Sequence, residues 1–105
     1  MKQYNKIELC GIIGSVHTVD YESGTIARIS VGVNNSYLSA SENEYTKTEW
    51  FDVHISSRDT SVDLKKLTRG DCVYAEGTMA SSEYVGSDGI SHYYWRVNAN
   101  IFKKI

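Results

Sequence analysis

Hydrophobic and polar residues alternate along most of this chain, which is the period of a β-strand with one buried face. The alternation is clearest from Thr25 to Asn34. One face of that segment is apolar and consists of Ala27, Ile29, Val31 and Val33. An earlier strand is predicted from Tyr4 to Val16, where Gly11 and Gly14 indicate a bend or bulge in a strongly curved sheet.

A third strand, predicted from Thr48 to Ser56, carries a tryptophan where a polar residue is expected. Its apolar face consists of Phe51, Val53 and Ile55, and its other face of Thr48, Trp50, Asp52 and His54. A tryptophan on a polar face is unusual in a sheet whose other face fills the core. The polar stretch from Asn35 to Lys47 is long for a hairpin loop and predicts a protruding β-ribbon.

The second half of the chain predicts one short helix and two more strands. Val62 to Leu67 supplies about two helical turns, and Gly70 suits the position after the helix end. The strands run from Cys72 to Tyr84 and from Ser91 to Ile105, and the turn at 86–89 joins them in a hairpin.

This order of elements predicts an all-β fold: a five-stranded Greek-key barrel of the OB type, with the short helix between strands three and four. An SH3-like barrel or a simple meander is the structural alternative, but neither accounts as well for the helix position. The 105 residues fit one domain spanning 1–105, because no repeat or low-complexity linker divides them.

Composition and charge narrow the functional classes. The formal net charge is −2, whereas a DNA-binding domain usually has a basic balance. Cys10 and Cys72 lie among strand-like residues and are predicted to be buried free thiols, and no motif indicates a metal or another cofactor. The absence of a long apolar run predicts no membrane span, and the polar N-terminus no signal peptide, so we expect a cytoplasmic protein.

A set of short motifs then resembles a known family. In chain order these are Asn5-Lys6 ahead of an apolar run with two glycines, Ala27–Val31, the Thr-Glu-Trp-Phe-Asp-Val stretch 48–53, the run 67–77 ending in Val-Tyr-Ala-Glu-Gly, and Asp88-Gly89 with Tyr93. Together they resemble the bacterial single-stranded-DNA-binding proteins over nearly the whole chain, especially the short members of that family.

The resemblance implies sequence-tolerant binding of single-stranded DNA in replication, repair or recombination, through aromatic stacking platforms beside a basic track. Trp50 is the first platform, and Tyr84 takes the place of a second tryptophan. Tyr37 occupies the place of a further aromatic, and Tyr45 lies in the same stretch. The implied phosphate contacts are Lys6, Arg28, Lys47 and Arg96.

The chain departs from the family pattern in ways that predict weaker binding. Asp52 stands where the family often has a basic or amide residue, and 80–83 replaces a stretch that carries arginine and lysine. The loop from Ser39 to Glu44 is net acidic. Fewer phosphate contacts predict a shallower dependence of affinity on salt.

The resemblance also implies a homodimer or homotetramer, in which the first strands of two subunits pair along Tyr4 to Leu9. Tyr4, Lys6 and Glu8 would line that seam, and Phe51 stands where the family has a histidine at a subunit contact, although core filling explains Phe51 equally well. The chain stops at Ile105, just past the last strand, so no acidic tail and no tail-mediated recruitment of other proteins are expected.

Two other functional classes compete with DNA binding. An enzyme is not expected, because His17, His54 and His92 are scattered and no catalytic or paired-carboxylate arrangement follows from their spacing. A barrel that binds protein partners through its tyrosines stays open, and the acidic balance favours it. Salt-sensitive binding of poly(dT) separates DNA binding from that alternative.

Overall fold

Five long strands form the protein in a computed structural model, which describes residues 1–38, 40 and 44–105. The strands are β1 (Ile7–Tyr21), β2 (Gly24–Leu38), β3 (Glu44–Ser56), β4 (Cys72–Val85) and β5 (Ser91–Lys104). They close into a barrel in the order β1-β2-β3-β5-β4, in which only the β3–β5 pair is parallel. The predicted five-stranded OB barrel is therefore confirmed.

The long strand β1 belongs to both halves of the barrel. Its first half, Ile7 to Ile12, pairs with β4, and its second half pairs with β2 from Ile12 onward. The register with β2 shifts between Ile13 and Ser15, so the predicted irregularity in this strand is a bulge at Gly14. The bulge lets one strand bend from one sheet into the other.

Alternate residues of all five strands meet inside the barrel. The buried apolar core consists of Leu9, Ile13, Ala27, Ile29, Val31, Val53, Ile55, Leu64, Leu67, Val73, Ala75, Val97, Ala99 and Phe102. The apolar faces predicted for the second and third strands are thus confirmed as core faces. Among the described residues, no helix is long and apolar enough to cross a membrane.

Two hairpins extend beyond the core. The β2–β3 pairing continues to Leu38 and Glu44, which confirms the predicted ribbon, and the β4–β5 pairing continues to Val85 and Ser91. Residues 39 and 41–43, within the loop predicted to be acidic, lie outside the described residues.

The segment between β3 and β4 holds two single 3₁₀ turns, Ser57–Asp59 and Leu64–Lys66, instead of one two-turn helix. Asp63 caps the second turn, because its Oδ1 accepts a hydrogen bond from the Lys65 N–H at 3.1 Å. That bond caps the start of the turn, so the turn begins only at Leu64, and it ends at Leu67, whose backbone is extended. A helix this short gains little from propagation. Gly70 has φ of 95° and lies beyond that turn rather than at a helix end.

The prediction that both cysteines are buried is wrong. Cys10 and Cys72 are free and exposed. Cys10 alternates with the buried Leu9 and Cys72 with the buried Val73, so the pleat of each strand turns the thiol outward. Position along the strand outweighs the average preference of cysteine for burial.

Candidate nucleic-acid interface

The outer face of β2 and β3 forms an open groove beside Trp50. The groove has a volume of about 480 Å³ and is lined by Ser15, His17, Arg28, Ile29, Ser30, Trp50, Phe51 and Asp52. Trp50 itself is 58% exposed although it lies in the middle of a sheet face. An exposed indole next to a groove offers a π-face to a planar ligand.

Arg28 and His54 hold the carboxylate of Asp52 from two sides of this face. Arg28 Nε lies 3.5 Å from Asp52 Oδ1, and His54 Nε2 lies 3.2 Å from Oδ2. The guanidinium of Arg28, predicted as a phosphate contact, is therefore partly neutralised by Asp52. A phosphate at this position would compete with an existing ion pair.

Barrel closure brings β5 beside β3 at this face. His54 is in register with Asn98, which places Arg96 next along the outer face of β5. Arg96 Nε donates to Asn98 Oδ1 at 3.1 Å, and its Nη1 donates to Ser82 Oγ. These partners are neutral, and within the described residues no ion pair offsets the guanidinium charge of Arg96.

The same face of the β4–β5 hairpin carries more aromatic side chains. Tyr84 is 55% exposed and stacks on His92, with ring centroids 5.1 Å apart and an interplanar angle of 20°. Tyr94 shares this face because it alternates with His92 and Arg96 along β5. Tyr94 and His92 were not predicted as contacts, although the two-residue period from Arg96 would have identified both.

The opposite face of that hairpin is also aromatic. Tyr93 and Trp95 are both exposed and alternate with the outer-face residues, so they continue the face that Val97 buries in the barrel. The two tryptophans of the chain thus lie on opposite sides of the β-sheet surface.

The tip of the β2–β3 ribbon does not group with Trp50. Tyr45 and Lys47 fall at the alternate positions of β3, on the face that Val53 occupies in the core. Lys47 Nζ is paired with Glu49 Oε1 at 3.1 Å. The backbone of Tyr37 pairs with that of Tyr45, and the side chain of Tyr37 lies outside the described part of the chain.

Lys6 lies on the β1–β4 side of the barrel, between two carboxylates. Its Nζ is 2.9 Å from Glu76 and 3.3 Å from Glu8. The hydrogen bond with Glu76, followed by that with Glu8, raises the pKa of Lys6, and Lys6 lowers the pKa of Glu76. Tyr74 Oη also donates to Glu76, at 3.0 Å. The ammonium of Lys6, just ahead of β1, is therefore already paired with one carboxylate of β1 and one of β4.

The residues predicted at a subunit seam occupy two environments. Tyr4 and Glu8 are exposed. Because β1 pairs with β2 only from Ile12, the earlier part of β1 pairs with β4 on one side and, within the described residues, has no partner strand on the other. Phe51 is half-buried and packs against the core, as core filling predicted. Its role as a subunit contact stays a prediction.

A model of the single-strand binding protein family matches residues 4–105. A single-stranded DNA-binding protein of Xylella fastidiosa is 26% identical over 98 residues, which cover 91% of this chain and 60% of that protein. The chain thus spans less than two thirds of that relative.

Solved structures share the fold at low identity. A Plasmodium falciparum SSB complex with ssDNA has a TM-score of 0.77 and 20% identity, covering 100% of this chain and 96% of that one. A small single-stranded DNA-binding protein from Streptomyces coelicolor has a TM-score of 0.70 and 20% identity, with 97% and 96% covered. A deletion variant of the single-stranded DNA binding protein from Thermus aquaticus has a TM-score of 0.80 and 16% identity, covering 97% of this chain and 50% of that one. With the family model matching nearly every residue, the chain belongs to the single-strand binding protein family.

Proposed function

We propose that this chain binds single-stranded DNA with little sequence preference, by stacking bases on exposed aromatic rings and holding phosphates with arginine. The observation that carries the proposal is that Trp50, Arg96 and Tyr84 all turn outward, on strands β3, β5 and β4, where barrel closure sets β3 beside β5. Family membership supports the same ligand. Every base has a π-face, so stacking needs no sequence code.

A DNA strand on this surface follows a defined order of contacts. One base stacks on Trp50. The DNA backbone crosses from β3 to β5 near the register pair His54 and Asn98 and passes Arg96. Another base stacks on Tyr84 or Tyr94. Each stack contributes about 1–3 kcal/mol. Arg96 supplies the strongest phosphate contact, because its hydrogen-bond partners are neutral, whereas Arg28 first has to leave Asp52.

The biological setting we propose is DNA replication, repair or recombination, where single strands are exposed. We also propose a homo-oligomer that pairs the β1 edge of two subunits around Tyr4, Lys6 and Glu8. Antiparallel pairing satisfies backbone groups that an isolated edge leaves open. Sedimentation at about 50 μM, well above a micromolar dissociation constant, tests this. The mass of a single chain would refute self-association.

The decisive experiment uses the fact that the chain has two tryptophans, on opposite faces. In Trp95→Phe the only remaining indole is Trp50, and titration with a dT oligonucleotide at low salt is expected to quench its emission. The matched variant Trp50→Phe keeps Trp95, whose emission should change little. Affinity should fall as salt rises, because phosphate contacts release counterions.

Two outcomes would contradict the proposal. One is the absence of quenching and of a mobility shift at high micromolar protein. The other is a salt-insensitive association with a purified protein in the absence of any DNA binding, which would favour the protein-binding alternative. The exposed Tyr93 and Trp95 would then be the surface to mutate first.

A further inference from the structure

We infer that Gly14 and Gly32 are positioning residues for Trp50, and that together they form the seat that orients its indole toward a DNA base. The inference rests on the proposed binding of single-stranded DNA. The two glycines come from different strands: Gly14 lies at the bulge of β1, and Gly32 lies in β2 opposite Trp50. The pairing of β1, β2 and β3 therefore places both glycines under the indole of Trp50.

The distances leave no room for a side chain at either position. A Cβ atom built on Gly14 would lie 2.5 Å from Cζ3 and 2.9 Å from Cη2 of Trp50. One built on Gly32 would lie 2.9 Å and 3.0 Å from the same two atoms. Carbon atoms in contact are normally about 3.5–4.0 Å apart. Any residue larger than glycine thus displaces the outer edge of the indole.

Backbone conformation does not explain these two glycines. Gly70 and Gly89 have φ of 95° and 78°, in the left-handed region that favours glycine, but Gly14 and Gly32 do not lie in that region. Alanine can therefore adopt the backbone conformation at both positions. The ring of Trp50 is the obstacle at both positions, joined at Gly32 by Cγ2 of Thr48, which would lie 3.1 Å from the added Cβ.

The seat has a consequence for binding. Contact with the backbone of β1 and β2 restricts the indole before DNA arrives, while more than half of Trp50 stays exposed to receive a base. A side chain that is already ordered loses less conformational entropy on binding than a free one. The glycines raise affinity without touching DNA.

Substitution should separate binding from stability. The atoms that would be displaced are at the far end of an exposed side chain, so the ring can swing outward while the core stays in place. Gly14→Ala and Gly32→Ala should fold with a Tm close to that of the parent. The larger effect on Trp50 is expected for Gly14→Ala, because a Cβ on Gly14 would lie closer to Cζ3 of Trp50 than one on Gly32.

The test is made in the Trp95→Phe chain, so that all indole emission comes from Trp50. Each alanine variant should bind a dT oligonucleotide at least about fivefold more weakly, which is a fraction of one stack. In the unbound protein, Trp50 emission should shift to the red and become more accessible to acrylamide. A structural role for the glycines alone would not produce those spectroscopic changes with the Tm retained.

A double-mutant cycle gives the control. In a Trp50→Ala background, Gly32→Ala should weaken DNA binding no further. The inference is overturned by unchanged affinity and emission in both alanine variants, or by the same loss with and without Trp50. If the parent chain binds no dT, the proposed function fails first, whereas a binding parent with insensitive variants removes only the seat. If one variant fails to fold, the other tests the same ring from a different strand.

Discussion

The two hairpins that extend from the barrel carry similar residues in different electrostatic surroundings. Along β2–β3, the cations Arg28 and Lys47 are each paired with a carboxylate of β3. Along β4–β5, Arg96 is held by a hydroxyl and an amide. A hydrogen bond to a neutral group fixes a guanidinium and leaves its charge available, whereas a carboxylate offsets that charge.

The hairpins also support their aromatic rings differently. Trp50, near the base of β2–β3, sits against the backbone of Gly14 and Gly32, whereas Tyr84 on β4–β5 is stacked against His92. The indole of Trp50 lies close to the backbone because the two glycines have no side chains, whereas the ring of Tyr84 lies against the imidazole of His92. The comparison predicts that β2–β3 contributes mainly stacking, and that β4–β5 contributes both stacking and charge.

Removal of the platforms should have the largest effect. Trp50→Ala and Tyr84→Ala are each expected to weaken dT binding by about 1–3 kcal/mol, with Trp50 the larger because of its ring area. Isothermal titration measures both. Tyr93→Ala is the matched control, since this exposed tyrosine lies on the opposite face of the hairpin. A loss in Tyr93→Ala equal to that in Tyr84→Ala would show that the wrong face was chosen.

Removal of a cation should come next and should distinguish the hairpins. Arg96→Gln is expected to reduce the slope of log affinity against log salt by about one, because one phosphate contact is lost. Arg28→Gln should change the slope less, since Asp52 already offsets its charge. Binding measured at four salt concentrations gives both slopes. Equal slopes for the two variants would remove the electrostatic difference between the hairpins.

Removal of the opposing carboxylate should have a smaller effect, of opposite sign. Asp52→Asn frees Arg28 and is expected to strengthen dT binding by about twofold to fivefold, the range of a partly exposed ion pair. Glu49→Gln is the comparison, because it frees Lys47 on the other face of β3. Weaker binding by Asp52→Asn would mean that the carboxylate itself contacts DNA.

The smallest effect is expected from acid on the fold. The pKa values of Glu76, Asp20 and Asp71 lie below their ordinary values, through hydrogen bonds with Lys6, Lys65 and the Thr68 backbone N–H respectively. A lowered pKa in the folded state stabilises the protein above the ordinary value of 4.5 for Glu76, or 3.8 for the aspartates.

That stability is lost as the pH falls through the folded pKa values, so the urea midpoint should not change through these groups from pH 6 to 8 and should decline below about pH 4.5. In Glu76→Gln the decline should be shallower. A steep loss of stability between pH 8 and 6 would point to groups other than these carboxylates.

Much of the fold was predictable because strand pairing leaves a local signal. The period of two identified the core faces of β2 and β3 and the surface position of Trp50, and the glycines of β1 indicated its bulge. The two-turn helix predicted over 62–67 was wrong for a reason that is also local. Its buried Leu64 and Leu67 suit a helix, but Asp63 caps the start of a single 3₁₀ turn, which ends where the backbone becomes extended at Leu67.

The candidate site was only partly predictable. Trp50, Tyr84 and Arg96 lie along one surface, but Tyr45 and Lys47 fall on the other face of β3, and Lys6 is held by Glu8 and Glu76. A sequence shows which residues are cationic, but it does not show which carboxylates form ion pairs with them. The partner of Arg28 is a residue 24 positions away (52 minus 28), on a neighbouring strand whose register must be known.

Which residues turn outward could be read from their order along each strand, because alternation is a local consequence of the pleat. The same alternation predicted the core faces of the strands and the outward position of Trp50. Tertiary structure alone decided what those outward residues meet. Barrel closure pairs Val53 with Val97, which sets the strand of Arg96 beside the strand of Trp50, and strand register brings two glycines beneath the indole. These contacts join residues far apart in the chain, and no local pattern encodes such distances.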